Sequence, residues 1–213
     1  MTGYRFRFAG QDFVALGSGA LYWPGQDMLL AADLHLGKSE RMARRGGALL
    51  PPFETRETLS RLAAELDRTR PGRLALLGDI YDDDAATDAL DPEDRAAFGR
   101  LTGMQETVLI AGNHDLASGA EELRIAGLTL RHIAGDGPDI SGHFHPKAHL
   151  AGRSRACFLV GSDHLILPAF GAYTGGLRCD SEALAALVPQ GLAILTGKTP
   201  VAMPVSNQLH AGR

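Results

Sequence analysis

Apolar and polar positions alternate at the start of the chain, where Tyr4, Phe6 and Phe8 are separated by arginines. Phe13 to Leu16 and Ala20 to Trp23 follow across glycine-containing turns, and this period of two predicts an antiparallel meander. Met28 to Ala32 is a short unbroken apolar run, as in a strand covered on both faces, and it ends in Asp33. Between Phe53 and Arg70 the spacing changes: Leu59, Leu62, Ala63 and Leu66 recur at i, i+3, i+4 and i+7 until Pro71-Gly72 stops the segment, which predicts a helix. A strand from Arg73 to Leu77 then runs through Gly78 into Asp79. Asp91, Pro92 and Glu93 supply an N-cap, a first-turn proline and an early acid for a second helix towards Leu101. A third strand, Thr107 to Ala111, ends in Gly112-Asn113-His114-Asp115. Beyond it, Leu128 to His132, Asp139 to Ser141, Cys157 to Val160, His164 to Leu167, Leu192 to Thr196 and Val201 to Val205 read as short strands, interrupted by one helix from Ser181 to Val188. Helices between strands early and a run of strands late predict an α/β protein with two sheets face to face and helices outside.

Bulk properties narrow this picture. The 213 residues fit a single domain, 1–213, and 45% hydrophobic with 22% charged residues is the composition of a globular chain. The formal charge of −4 provides no global field for nucleic acid, so any such binding must come from a local patch or from bound metal. Cys157 and Cys179 are far apart in sequence and outside any CxxC spacing, which predicts two buried thiols rather than a disulfide framework or a zinc ribbon. No run approaches the ~18 apolar residues of a spanning helix, and the opening MTGYRFRFAG lacks the apolar core of a signal peptide. The expected location is cytoplasmic.

The candidate chemistry lies where the strands end. Asp33-Leu34-His35, Gly78-Asp79-Ile80-Tyr81-Asp82, Gly112-Asn113-His114-Asp115 and Gly142-His143-Phe144-His145-Pro146 all present metal-ligand residue types. Side chains alternate in an extended strand, so Asp33 and His35 are expected on one side, as are His143 and His145, each pair gripping one ion. The glycines before Asp79, Asn113 and His143 are expected to turn the backbone sharply. Carboxylate, imidazole and amide oxygen make a mixed site suited to Mn, Fe, Co or Zn and poor for calcium. Two acids, Asp33 and Asp79, supply about two negative charges against about four positive from two divalent ions, leaving a centre that favours an anionic substrate. Such ion pairs activate water and clamp both oxygens of an in-line phosphoryl displacement.

This ordered set, DLH, GDIYD, GNHD, an isolated histidine and GHFHP, resembles the calcineurin-like metallophosphoesterase superfamily, over Asp33 to His145. The DLHLGK start, the GHFHPK segment and LILPAFGAYTGG at 165–176 are most similar to its bacterial ligase-associated DNA-damage-response endonuclease branch. The resemblance implies a four-layer αββα sandwich of two mixed sheets flanked by helices. It implies two divalent cations, Mn2+ foremost, one held by Asp33, His35, Asp79 and His145 and the other by Asp79 as bridge, Asn113, His132 and His143. His114 would then protonate or stabilise the leaving oxygen, with Asp82 or Asp115 orienting side chains. The implied reaction is attack of a metal-bridging hydroxide on a phosphodiester, in DNA under repair, beside a helicase and an ATP-dependent ligase. Pairing of two copies through their sheets is implied as well.

His132 is the only histidine between GNHD and GHFHP, but Arg131-His132-Ile133 carries little motif context, so His149 and His164 stand as fallbacks. His149, His164 and His210 otherwise read as ordinary surface or packed histidines. Asp83 and Asp84 read as a solvated acidic loop. Lys38, Arg41, Arg44 and Arg45 follow the first motif closely, with Lys38, Arg41 and Arg45 on one helical face; either this is a solvated face, or Lys38 and Arg41 track a phosphate backbone. Phe170 and Tyr173 either pack a turn or stack on a base. The competing functions are a phosphatase or phosphodiesterase for a small nucleotide or phosphoprotein, and an inactive scaffold; retention of every ligand position argues against the scaffold.

Overall fold

The computed structural model describes residues 2–46, 51, 53–83, 85–114 and 119–207. The first sheet is built from β1 (Gly3–Phe8), β2 (Gln11–Leu16), β3 (Leu21–Trp23), β4 (Met28–Ala32), β5 (Arg73–Leu77) and β6 (Glu106–Ile110), which lie side by side in chain order. β1 to β3 form the expected antiparallel meander, which continues antiparallel into β4, whereas β4, β5 and β6 are parallel and in register, with Ala32 opposite Leu77 and Leu77 opposite Ile110. Their carboxyl ends therefore stop level with one another at one edge.

The second sheet contains β7 (Glu122–Ile125), β8 (Leu128–Arg131), β9 (Asp139–Ser141), β10 (Lys147–Leu150), β11 (Arg153–Val160), β12 (His164–Ile166), β13 (Gln190–Leu195) and β14 (Val201–Ser206). Its order is β14-β13-β11-β12-β9-β8-β7, with β10 added on β11, and β9 runs parallel to both β8 and β12. β7 and β10 are additions to the expected strands. β10, Lys-Ala-His-Leu, has only Ala148 buried, so it presents no apolar alternation to read. Pro204 sits in edge strand β14, where the amide it lacks has no second neighbour to serve.

The period of two sorts the side chains into layers. Leu30 and Ala32 of β4 and Ala75 and Leu77 of β5 meet Leu130, Ile140, Phe158, Leu165 and Ile194 between the sheets. Leu29, Ala31, Leu74 and Leu76, one position out of phase, face Leu59, Leu62 and Leu66 of helix α2 (Glu54–Thr69). Around α2 lie α1 (Lys38–Arg44), α3 (Ala86–Ala89) and α4 (Pro92–Thr102), the last begun by the expected Asp91 cap, whose carboxylate accepts from Glu93 N at 2.8 Å. On the far side, Cys157, Leu159, Ala193 and Leu195 pack against Leu184 and Val188 around α5 (Glu182–Leu187). Each fully buried Leu or Phe contributes about 1.5–3 kcal/mol, so a slip of one residue in β4 or β5 would forfeit both layers at once. Both thiols are buried as expected, and they pack together with Cys157 Sγ 3.4 Å from Cys179 Sγ. No described helix is long and apolar enough to cross a membrane.

Candidate metal centre

The aligned carboxyl ends of β4, β5 and β6 carry Asp33, Asp79 and Asn113, each within three residues of its strand. The second sheet meets the same edge: Gly142 N, just past β9, donates to the His132 carbonyl, just past β8, at 2.9 Å. Two further bonds zip the first two loops together, from His35 N to Asp79 O and from Leu36 N to Ile80 O, both 2.9 Å. Residues from five loops are thereby fixed around one point.

The expected alternation along an extended strand does not operate here. β4 ends at Ala32, and Asp33, His35, Asp79, His143 and His145 all take left-handed backbone angles, with φ between 39° and 66°. Asp and His tolerate this region better than bulkier residues, but each such residue still costs on the order of 1–3 kcal/mol, offset by the bonds that lock the loops. One consequence corrects the pairwise expectation. Asp33 and His35 do share a cluster, completed by His145, while His143 joins Asp79 and His132 instead. The glycines also differ from expectation. Gly78 takes φ +70°, whereas Gly112 and Gly142 are needed for space: a Cβ on Gly112 would collide with the Asp79 backbone, and one on Gly142 with the Asp33 carboxylate.

At the first cluster, His35 Nε2 lies 3.4 Å from His145 Nε2, and His145 Nε2 lies 3.5 Å from Asp33 Oδ2. At the second, Asn113 Oδ1 is 2.8 Å from His132 Nε2 and 3.1 Å from His143 Nδ1, and the two ring nitrogens are 3.1 Å apart. Asp79 belongs to both neighbourhoods: it groups with His35 and His114 on one side and with His132 and His143 on the other. Its Oδ1 accepts from His114 N at 3.0 Å, and Oδ2 stands 3.6 Å from His132 Nε2. Burial, then the neighbouring His132, push the His143 imidazole below its ordinary pKa, so it keeps the neutral form that can donate a lone pair. Asp33 is wholly enclosed; His143 N donates to its Oδ2 at 2.8 Å, yet Oδ1 accepts no hydrogen bond. Its Oδ1 faces His132 Nδ1 at 3.4 Å, and a buried carboxylate among imidazole nitrogens that crowd one another to 3.1 and 3.4 Å is a donor set that fits divalent cations.

Around this set the structure assigns partners that sequence spacing did not show. Asp82 is buried and touches His35 Nδ1 at 3.0 Å while pairing with the Arg41 guanidinium. Burial opposes its ionisation, but the close His35 imidazole and the charges of Arg41 and Lys38 prevail and hold its carboxyl below the usual range. His35 Nε2 is thus aimed at the centre. The Asp82 backbone also acts: its carbonyl lies 2.8 Å from His114 Nδ1, which must donate there, leaving Nε2 to act on a substrate oxygen or an ion. Arg41, expected as a substrate contact, has its guanidinium paired with Asp82. Arg44 and Arg45 are likewise engaged, with Asp83 and, for Arg44, Glu40. Asp83, read as a solvated acid, is their partner and also accepts from Ala86 N at 2.9 Å. Lys38 is half-buried, and desolvation lowers its pKa against the pull of Asp82.

His132 is buried within the second cluster. His164 instead pairs with Asp139 at 3.0 Å, at the opposite end of β9, and His149 is exposed on β10. Asp84, Asp115 and His210 lie outside the described residues. Phe170 is fully buried under the Arg61 guanidinium, 4.8 Å from its ring centre, while Tyr173 is half-exposed.

Among solved structures, the nuclease MPE of Pseudomonas putida superposes with a TM-score of 0.72 at 25% identity, covering 95% of this chain and 100% of that one. YfcE, a phosphoesterase from E. coli, reaches a TM-score of only 0.44 at 12% identity, over 85% of this chain and 99% of that one. No family model and no curated protein matches the sequence.

Proposed function

We propose that this chain, a metal-dependent phosphoesterase of the calcineurin-like metallophosphoesterase fold, is a nuclease that hydrolyses phosphodiester bonds with two divalent cations at one centre. The observation that carries the reading is the position of Asp79, which groups with His35 and His114 on one side and with His132 and His143 on the other, while His35 also belongs to the Asp33 and His145 cluster. Asp33, His35, Asp79 and His145 would hold one cation and Asp79, Asn113, His132 and His143 the other, with Mn2+ foremost and Fe, Co or Zn also suited to this mixed donor set. When bound, the pair supplies an activated water and withdraws charge from the phosphoryl oxygens.

The protein's own groups then divide the work. Backbone amides of His114 and His143 hold Asp79 Oδ1 and Asp33 Oδ2, which leaves Asp79 Oδ2 facing His132 Nε2 and keeps Asp33 Oδ2 beside His145 Nε2. Asp82 fixes the His35 ring through its carboxylate and the His114 ring through its carbonyl. In its imidazolium form, with the Nδ1 proton held by the Asp82 carbonyl, His114 can then give its Nε2 proton to the leaving oxygen and become the neutral ring, without having to search for its orientation. Nucleic acid as substrate is supported by the likeness to the Pseudomonas nuclease; a place in DNA repair, beside a ligase and a helicase, rests on the motif resemblance alone.

The test is a parallel assay of Mn-loaded protein on a chromogenic phosphodiester, a phosphomonoester and single-stranded DNA, with metal content measured for wild type and Asp79→Ala. Diester and DNA cleavage are expected, together with loss of both metals in the variant. Hydrolysis confined to the monoester would overturn the nuclease reading, and an unchanged metal count would overturn the bridge.

A further inference from the structure

Beside the centre, on the side of His145, a groove of about 390 Å³ runs between the two sheets' loops. Its volume lies in the range of small-molecule sites, ~300–1,000 Å³. Its lining includes His145, Lys147, Arg61 and Glu57, together with Tyr173 of the glycine-rich turn 171–176. The turn is pinned on both sides of Tyr173. Gly171 N donates to Asp33 O at 3.0 Å, Ala172 N to Thr58 Oγ1 at 3.0 Å, and Lys147 Nζ to Thr174 O at 3.2 Å. The backbone of Tyr173 itself is left-handed, at φ 55°, and its side chain stays 51% exposed. Among the described residues the exposed aromatic side chains are Tyr173 and Phe53, and of these only Tyr173 lines a groove that reaches a candidate ligand.

We infer that this groove receives the nucleoside next to the scissile phosphodiester, with Tyr173 as the face on which its base stacks and Lys147 as a contact for the adjoining phosphate. The inference rests on the nuclease reading above and adds a subsite to it. A rim aromatic on a braced turn loses little entropy on stacking, and every base offers a π-face, so the contact is indifferent to sequence. Lys147 keeps two ammonium protons after serving Thr174 O, and these are free for a phosphate oxygen.

The experiment compares two short oligothymidylates, one intact and one with an abasic sugar at the nucleoside flanking the cleaved bond, on Mn-loaded wild type, Tyr173→Ala and Tyr173→Phe. Wild type should prefer the intact strand in kcat/KM by about 5- to 150-fold, the worth of one base–aromatic stack. The preference should collapse in Tyr173→Ala and persist in Tyr173→Phe, which keeps the ring. Fluorescence anisotropy of a labelled oligothymidylate with metal-free protein should show the same order of affinities. A preference that survives in Tyr173→Ala, or equal cleavage of both strands by wild type, overturns the stacking site while leaving the nuclease reading intact. Failure to cleave either strand or a chromogenic diester overturns the nuclease reading itself.

Discussion

On the α1 rim of the centre, Arg41, Arg44 and Arg45 each meet a carboxylate, whereas on the groove rim Lys147 and Arg61 donate to the carbonyl oxygens of Thr174 and Ser18. The α1 rim is the more basic in sequence, yet its charge is met within the fold by Asp82, Asp83 and Glu40. A carbonyl bond orients a cation without cancelling it, so the groove rim, with Glu57 as its acid, retains charge for an anion. Local density of Lys and Arg is thus a poor guide to a nucleic-acid surface; what decides is whether the counter-charge is built in.

His114, edge-on to the His35 ring, sets the scale for both rims. His114→Ala should lower turnover about 10²–10⁴-fold on chromogenic diester and oligonucleotide alike, measured as kcat at saturating metal. A wild-type rate would remove it from the mechanism. Asp82→Asn comes next, because it disturbs the link between the α1 rim and His35 while sparing the backbone carbonyl that orients His114. Metal affinity, read by chelator competition, should fall about 10–100-fold; unchanged affinity would mean that the rim does not position the ligand.

Arg41→Ala and Lys147→Ala separate the rims directly. For Lys147→Ala the log–log salt dependence of oligonucleotide binding should flatten by about 0.7, the value of one single-strand phosphate contact. Arg41→Ala should leave that slope as it is and instead lower activity on large and small esters equally. The reverse pattern would exchange the roles assigned to the two rims. The smallest effect belongs to Arg44→Ala, an exposed pair already in water: its thermal midpoint and its DNA affinity should both be indistinguishable from wild type.

The first-sheet strands and α2 were legible because each is announced by its own residues: a period of two, an i, i+3, i+4 stripe, a proline-glycine stop. β7 and β10 are short, and β10 is largely exposed, so little apolar pattern betrays them. The motif residues were legible as types in order. Their grouping was not, because the loops leave extended geometry at Asp33, His35, His143 and His145, and a side chain's direction there depends on φ rather than on parity. Asp82 shows the same limit from another side: its motif position was visible, but its hold on Arg41, 41 positions earlier, was not.

What the amino-acid order alone determined is the inventory: two layers' worth of alternating apolar strands, and acids, amides and imidazoles placed just beyond their ends. Those features are local, governed by the backbone periods and by the residues adjacent in the chain. Only the tertiary structure decided which imidazole faces which carboxylate, which cations are already neutralised and where an aromatic ring remains exposed beside the ligands. Each of these depends on contacts between segments brought together by sheet register and loop closure, and a contact between residues 110 positions apart, such as His35 with His145, has no signature in either stretch of sequence.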